Sequence, residues 1–340
     1  MPLSFSVKTS QRSPLLIEQQ PGAQESHADL AGPVRSGLTE RGAVLLRGFP
    51  IRSATDFSKT LAGLDLAAWD DYLFREKGRD VVSDKVFTTD NGATLRAHGG
   101  LHTENCYSPE RPRWIAFYCQ EAPSRGGETL LCDSVEVCAQ LSGRLRRKFK
   151  TASRECDYIV GESDYQKAFR TTDPSEIRSR CARSGCSVYQ TERGGAATTR
   201  VIFNHPYVVK VPETERESLL LNINVWSPYG PTQVWRHFRD RHSRADWLAV
   251  HADYLSSSLL WTCFKHAYAH LHIGGRRVRE LSLTSAEQQE LGSAIADQLI
   301  AFPWQDGDVL LIDNLQMFHC GLPWHGARTL RVMMGAFSDP

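Results

Sequence analysis

Apolar positions along the chain fall into short runs and short periods, with no long stripe. Ala43-Val44-Leu45-Leu46-Arg47 is a nearly continuous apolar run closed by Gly48-Phe49-Pro50, which predicts a buried strand. Leu30–Arg41 before it reads as a helix stopped by Gly42, and Leu15-Leu16-Ile17 as one short strand in a polar lead-in. Thr55–Leu64 has a helical period, with Phe57, Leu61 and Leu64 on one side and Thr55 as its cap. Trp114–Cys119, rich in aromatic and β-branched residues, predicts a strand; Pro123–Gly127 predicts a turn and Glu128–Cys132 a second strand. Val135–Phe149 then reads as one amphipathic helix, and Ser285–Ala301 as another, opened by Thr284-Ser285-Ala286-Glu287.

The last forty residues return to strand: Asp308–Ile312, a turn at Asp313-Asn314, Gln316–His319, a Gly/Pro loop, and Thr329–Phe337. Residues 225–275 differ in texture, mixing aromatics and histidines in what reads as helices and loops inserted between strands, a candidate lid by composition and position. Strands at both ends with helices between predict one β-core over residues 1–340, closed by distant segments, although a length of 340 residues would also accommodate two domains.

Composition narrows the function classes. Hydrophobic residues make up 41% of the chain, enough for a substantial core. Forty basic against 39 acidic residues give a net charge of +1, which argues against nucleic-acid binding or a polybasic membrane surface. Basic residues do cluster at Arg144, Arg146, Arg147, Lys148 and Lys150, a solvated helix face or a docking patch for an acidic partner. Nine cysteines without a CxxC pair fit neither a zinc ribbon nor a disulfide framework and suggest a reducing cytoplasm. No signal peptide or membrane span is expected, and an oligomer is compatible with the sequence.

Candidate chemistry gathers at a few positions. In a strand, residues i and i+2 share a face, so His102 and Glu104 of His102-Thr103-Glu104 are expected to reach the same ion. His319 ends an apolar strand 217 residues later. Two histidines and one carboxylate that leave other positions open suit Fe(II) oxygen chemistry, although each residue taken singly is as readily structural. Arg328 presents a rigid fork that a dicarboxylate cosubstrate would satisfy, and the Thr129 hydroxyl, behind Gly126-Gly127, could donate to the same carboxylate. A rival site is His266, His270 and His272, but zinc proteases with this spacing carry Glu where Ala267 stands. His98, Asn105, His205 and Arg331 are candidate substrate contacts.

The chain resembles the taurine dioxygenase (TauD/TfdA) family of Fe(II)- and 2-oxoglutarate-dependent oxygenases. The resemblance rests on Gly42–Phe49, on His102-Thr103-Glu104-Asn105-Cys106-Tyr107, on Gly126–Asp133, and on Trp304-Gln305-Asp306-Gly307-Asp308 through to Arg328, in the family's order. It implies a mainly β double-stranded β-helix, or jelly roll, with flanking helices. It also implies iron on His102, Glu104 and His319, with Arg328 and Thr129 holding the distal carboxylate of 2-oxoglutarate. The expected reaction consumes O2, hydroxylates a C–H bond and releases succinate and CO2.

Two departures bear on substrate. Glu104 replaces the usual Asp, which resembles the subgroup acting on amino acids, free or carrier-tethered, in peptide-antibiotic assembly; it also argues against halogenation, which needs a small residue there. Some members carry a second arginine four residues after the first; here that position is Val332, and Arg331, three residues on, should face the other side of the strand. A small-molecule or carrier-protein-tethered amino-acid substrate is therefore expected over a sulfonate. A zinc hydrolase on the same ligands and a non-catalytic descendant of the fold are the competing readings.

Overall fold

The computed structural model describes residues 5–8, 14–20, 27–74, 79–89, 101–193, 196–223, 276–322 and 324–337, with residues 244 and 248 between them. The candidate lid at 225–275, His98 and the rival histidines His266, His270 and His272 lie outside these residues, apart from 244 and 248 within the lid.

Two β-sheets face each other. The larger has nine strands. Phe5–Lys8, Leu15–Gln19, Ala43–Arg47, Val309–Asp313, Trp114–Glu121, Thr329–Phe337, Val86–Thr88 and Val81–Ser83 lie side by side in that order, and Leu66–Ala68 also pairs with Thr329–Phe337. The smaller places Thr129–Asp133 between Leu299–Phe302 and Met317–Gly321. In the larger sheet only Leu15–Gln19 against Ala43–Arg47 runs parallel among the pairings described.

Alternation decides which face each residue serves. Ile115, Phe117, Leu310, Ile312, Val332 and Met334 point inward and pack with Leu131 and Met317 of the smaller sheet. Ala116, Tyr118, Val309, Leu311 and Met333 point outward and bury Leu30, Val34 and Leu38 of the His27–Arg41 helix and Phe57 and Leu61 of the Ala54–Ala62 helix. Leu130, Cys132, Phe318 and Cys320 cover the outside of the smaller sheet with Val137, Leu145 and Leu291 from three further helices. The chain is thus mainly β with flanking helices, a jelly-roll sandwich whose two layers share one inner core.

Several elements differ from the sequence expectation, each for a local reason. Val135–Phe149 is two helices, Ser134–Gln140 and Gly143–Thr151, because Ser142 is extended and its hydroxyl accepts from the Leu145 amide, capping the second. The Ala54–Ala62 helix is capped by Ser53, which accepts from the Asp56 amide, so Thr55 lies within the first turn. Thr284 does open a helix through a capping box with Glu287, but that helix ends at Ala296, and Leu299–Phe302 pairs as a strand with Thr129–Cys132.

A four-stranded sheet of Ser187–Arg193, Ala196–Pro206, Ser153–Gly161 and Arg276–Arg279 was not expected. It packs with Phe169, Ile177 and Cys181 of the adjoining helices. No helix among the described residues is long and apolar enough to cross a membrane.

Candidate metal centre

His102 and His319 meet as an isolated antiparallel bridge, each amide donating to the other's carbonyl at 3.1 Å. This pairing brings the two imidazoles to a centroid separation of 4.6 Å, with Phe117 packed against His319. The regular strand expected through His102-Thr103-Glu104 is absent: the chain turns at Glu104, and Asn105 adopts a left-handed φ of 55°. The carboxylate still converges because Asn314 captures its backbone. The Glu104 amide donates to Asn314 Oδ1 at 2.8 Å, while Asn314 Nδ2 donates to the carbonyls of Glu104 and Pro112 at 3.2 and 2.9 Å.

The ligand-capable atoms of His102, Glu104 and His319 all lie within 4.8 Å of one another. Glu104 Oε2 stands 3.5 Å from His102 Nε2 and 3.4 Å from His319 Nε2. Ligands about 2.1 Å from a shared ion are separated by roughly 3.0 Å at right angles and about 3.4 Å at the tetrahedral angle, so the donor set fits a metal. Two imidazoles and one carboxylate, with open positions, is the set that suits Fe(II).

Electrostatics favour ligand-competent protonation states. Burial opposes the Glu104 charge, but the Arg79 guanidinium and both imidazoles outweigh it and hold the carboxyl well below its usual range. Arg79 Nη2 donates to Glu104 Oε1 at 2.7 Å. Burial, reinforced by His102, pushes His319 down to about 4, which leaves its ring neutral and able to bind a metal. Arg79 and Asn314 are the residues that sequence reasoning missed. Asn314 was visible only as part of a turn, and nothing near Arg79 in the chain points to a site 25 residues away.

Arg328 and Thr129 also come together. His319 and Gly321 are two residues apart in one strand, and Gly321 pairs with Thr129, so all three side-chain positions share the inner face. Arg328 stacks on Trp324, 4.7 Å from the ring. A Cβ on Gly321 would lie 3.5 Å from Arg328 Nη1, and one on Gly127 would lie 3.3 Å from its Cδ; both glycines leave room around the guanidinium. Burial lowers Arg328 to about 10, its Nε is buried without a hydrogen-bond partner, and it makes no ion pair among the described residues. The guanidinium thus lies beside Gly321, which is one strand step, about 6.8 Å, from His319.

The remaining candidates lie elsewhere. Arg331 has the outward parity of Met333 and donates to Gln120 Oε1 at 3.0 Å, so the expected substrate contact is corrected to an outer-face residue. His205 is buried on Phe203 with Nε2 2.6 Å from the Ser108 carbonyl, and burial with Arg111 nearby pushes it down to about 4. It braces the loop after Glu104. Asn105 shapes the same loop, its Nδ2 donating to the Glu110 carbonyl at 3.1 Å, while its Oδ1 is buried and unpaired. Cys320 follows His319 in sequence but faces the opposite side, in the outer core, and burial raises its thiol to about 12.

Comparison with known proteins agrees with this geometry. The dapdiamide synthesis protein DdaC of Enterobacter agglomerans is 23% identical over 330 residues, covering 91% of this chain and 85% of that protein. A clavaminate synthase-like protein of Arabidopsis thaliana is 26% identical over 344 residues, covering 96% and 89%. Among solved structures, a putative alpha-ketoglutarate-dependent taurine dioxygenase from Burkholderia xenovorans superposes with a TM-score of 0.53 at 15% identity, over 99% of this chain and 94% of that one, a likeness of fold. The family model for the taurine catabolism dioxygenase TauD, TfdA family matches residues 13–336. The chain belongs to that family and is a non-haem iron, 2-oxoglutarate-dependent oxygenase.

Proposed function

We propose that His102, Glu104 and His319 hold the iron, that Arg328 and Thr129 seat 2-oxoglutarate, and that the enzyme hydroxylates an unactivated C–H bond of an amino acid or amino-acid-derived substrate, free or carrier-tethered, in secondary metabolism. The observation that carries the site is the convergence of three donor atoms from chain positions 217 residues apart on one buried point. With O2 and 2-oxoglutarate, bound iron supplies the oxidising power, and succinate and CO2 are the coproducts. The protein's part is placement. A neutral His319, His102 and an ionised Glu104 meet at one point, and Arg328 orients the cosubstrate through charge-assisted hydrogen bonds. Phe117 packs against His319 and fixes its ring.

The substrate class is supported by Glu104 in the acidic position and by the relatives named for dapdiamide synthesis and for likeness to clavaminate synthase. The eight cysteines among the described residues are all free, which supports a reducing, cytoplasmic setting. The experiment is a 2-oxoglutarate turnover screen against amino acids, free and carrier-loaded, read by product mass and succinate. His319→Ala is expected to abolish substrate-dependent succinate formation; full activity in that variant would remove His319 from the ligand set.

A further inference from the structure

Glu104 is constrained at three points. Its amide is held by Asn314, its Oε1 accepts from Arg79 Nη2 at 2.7 Å, and its Oε2 faces both imidazoles at 3.5 and 3.4 Å. The Glu104 side chain is 3% exposed and that of Arg79 is 12% exposed, so their contact is shielded from water. Arg79 reaches the site from the residues just before the Val81–Ser83 edge strand, independently of the elements that carry the three donors. We propose that Arg79 is a positioning residue that holds Glu104 with Oε2 toward the two imidazoles.

This rests on the reading of His102, Glu104 and His319 as the iron ligands. The charge-assisted hydrogen bond on Oε1 fixes the carboxylate with Oε2 toward the histidines, so Glu104 does not have to be ordered when a metal binds. Groups that orient a ligand in this way typically contribute a factor of about 10–100 in metal affinity.

The sign of the effect separates positioning from charge. Arg79 is a cation beside a divalent ion, so electrostatics alone predicts that its removal tightens metal binding. Positioning predicts that removal weakens it. The test is Mn(II) titration of the metal-free full chain, with free Mn(II) read by electron paramagnetic resonance, for the parent, Arg79→Met, Arg79→Lys and His319→Ala. Arg79→Met is expected to weaken Mn(II) binding about 10–100-fold, with Arg79→Lys in between, and to change the bound-Mn(II) spectrum. Mn(II) binding by Arg79→Met as tight as or tighter than the parent overturns the proposal. Should that variant fail to fold, Arg79→Gln, which keeps a neutral donor, carries the same sign test. Parent-like Mn(II) binding in His319→Ala would instead overturn the ligand reading, and the role of Arg79 with it.

Discussion

At the scale of single residues, the site depends as much on what is missing as on what is present. Gly321 lies opposite Thr129 and one strand step beyond His319, where any side chain would point into the space beside Arg328. An alanine Cβ would stand 3.5 Å from Nη1, ordinary contact; the two further methyls of valine would crowd the space beside Arg328 in which we propose the cosubstrate carboxylate sits. Gly321→Val is therefore expected to raise the 2-oxoglutarate KM at least about tenfold, the loss of a charge-assisted hydrogen bond worth roughly 1.5–3 kcal/mol. Mn(II) affinity should stay within about twofold of the parent, because none of the three donors moves. Parallel cosubstrate kinetics and metal titration check this, and an unchanged KM would place the carboxylate seat elsewhere. His102, Glu104, His319, Thr129 and Arg328, which the fold brings near one another, could be singled out in the sequence by residue type together with the family resemblance. Asn314 and Arg79 could not, since a turn asparagine and a lone arginine look the same wherever they point.

At the scale of elements, legibility followed whether the buried face was apolar. Ala43–Arg47, Trp114–Glu121, Val309–Asp313 and Thr329–Phe337 are buried on both faces or nearly so, and their apolar runs announced them. Ser153–Gly161 alternates correctly, but its inward positions are Arg154, Cys156, Tyr158 and Val160, and a buried arginine at the first of these hides the period. Ala196–Pro206 buries Thr199 and His205 alongside Val201 and Phe203, with the same result. The last strand also shows how tightly neighbouring elements fit. Gly335 pairs with Trp114 on one side and Ala68 on the other, and a Cβ there would lie 1.9 Å from the Ala67 carbonyl oxygen. No rotamer relieves a clash with backbone, so the Leu66–Ala68 strand must shift. Gly335→Ala is expected to cost about 1–3 kcal/mol in urea unfolding, as overpacked core sites do, with the denaturant slope unchanged. A loss below about 0.5 kcal/mol would mean that Leu66–Ala68 is free to yield.

Across the whole molecule, a buried ion pair helps tie the four-stranded sheet to the metal loop, alongside Tyr158 and His205, which bond the Tyr107 and Ser108 carbonyls. Arg154 is fully buried, and its Nε donates to Glu280 Oε1 at 2.6 Å, just past the Arg276–Arg279 strand. Its Nη1 donates to the carbonyl of Cys106, two residues beyond Glu104, at 3.1 Å, and its guanidinium lies 5.0 Å from the rings of both Tyr107 and Tyr207. Tyr207 closes the group by donating to Glu280 Oε2 at 2.7 Å. Burial disfavours charge on Arg154, but Glu280 outweighs it and raises the arginine's pKa, so Arg154 stays charged. Removing one partner strands a charge away from water, which costs about 3–5 kcal/mol, whereas replacing both with apolar groups of similar volume is often neutral or stabilising. Arg154→Met should therefore lower unfolding stability by about 3–5 kcal/mol, and Arg154→Met with Glu280→Leu should recover much of that loss. Metal affinity is the separating measurement. If the pair only stabilises the fold, the double variant binds Mn(II) like the parent; if it also sets the loop that follows Glu104, the double variant folds but binds Mn(II) more weakly, since the hydrogen bond to the Cys106 carbonyl is gone in both variants. The second outcome is expected, because an apolar replacement reproduces neither that hydrogen bond nor the cation–π contact with Tyr107. Parent-like metal binding in a stable double variant would confine the pair to a purely structural role.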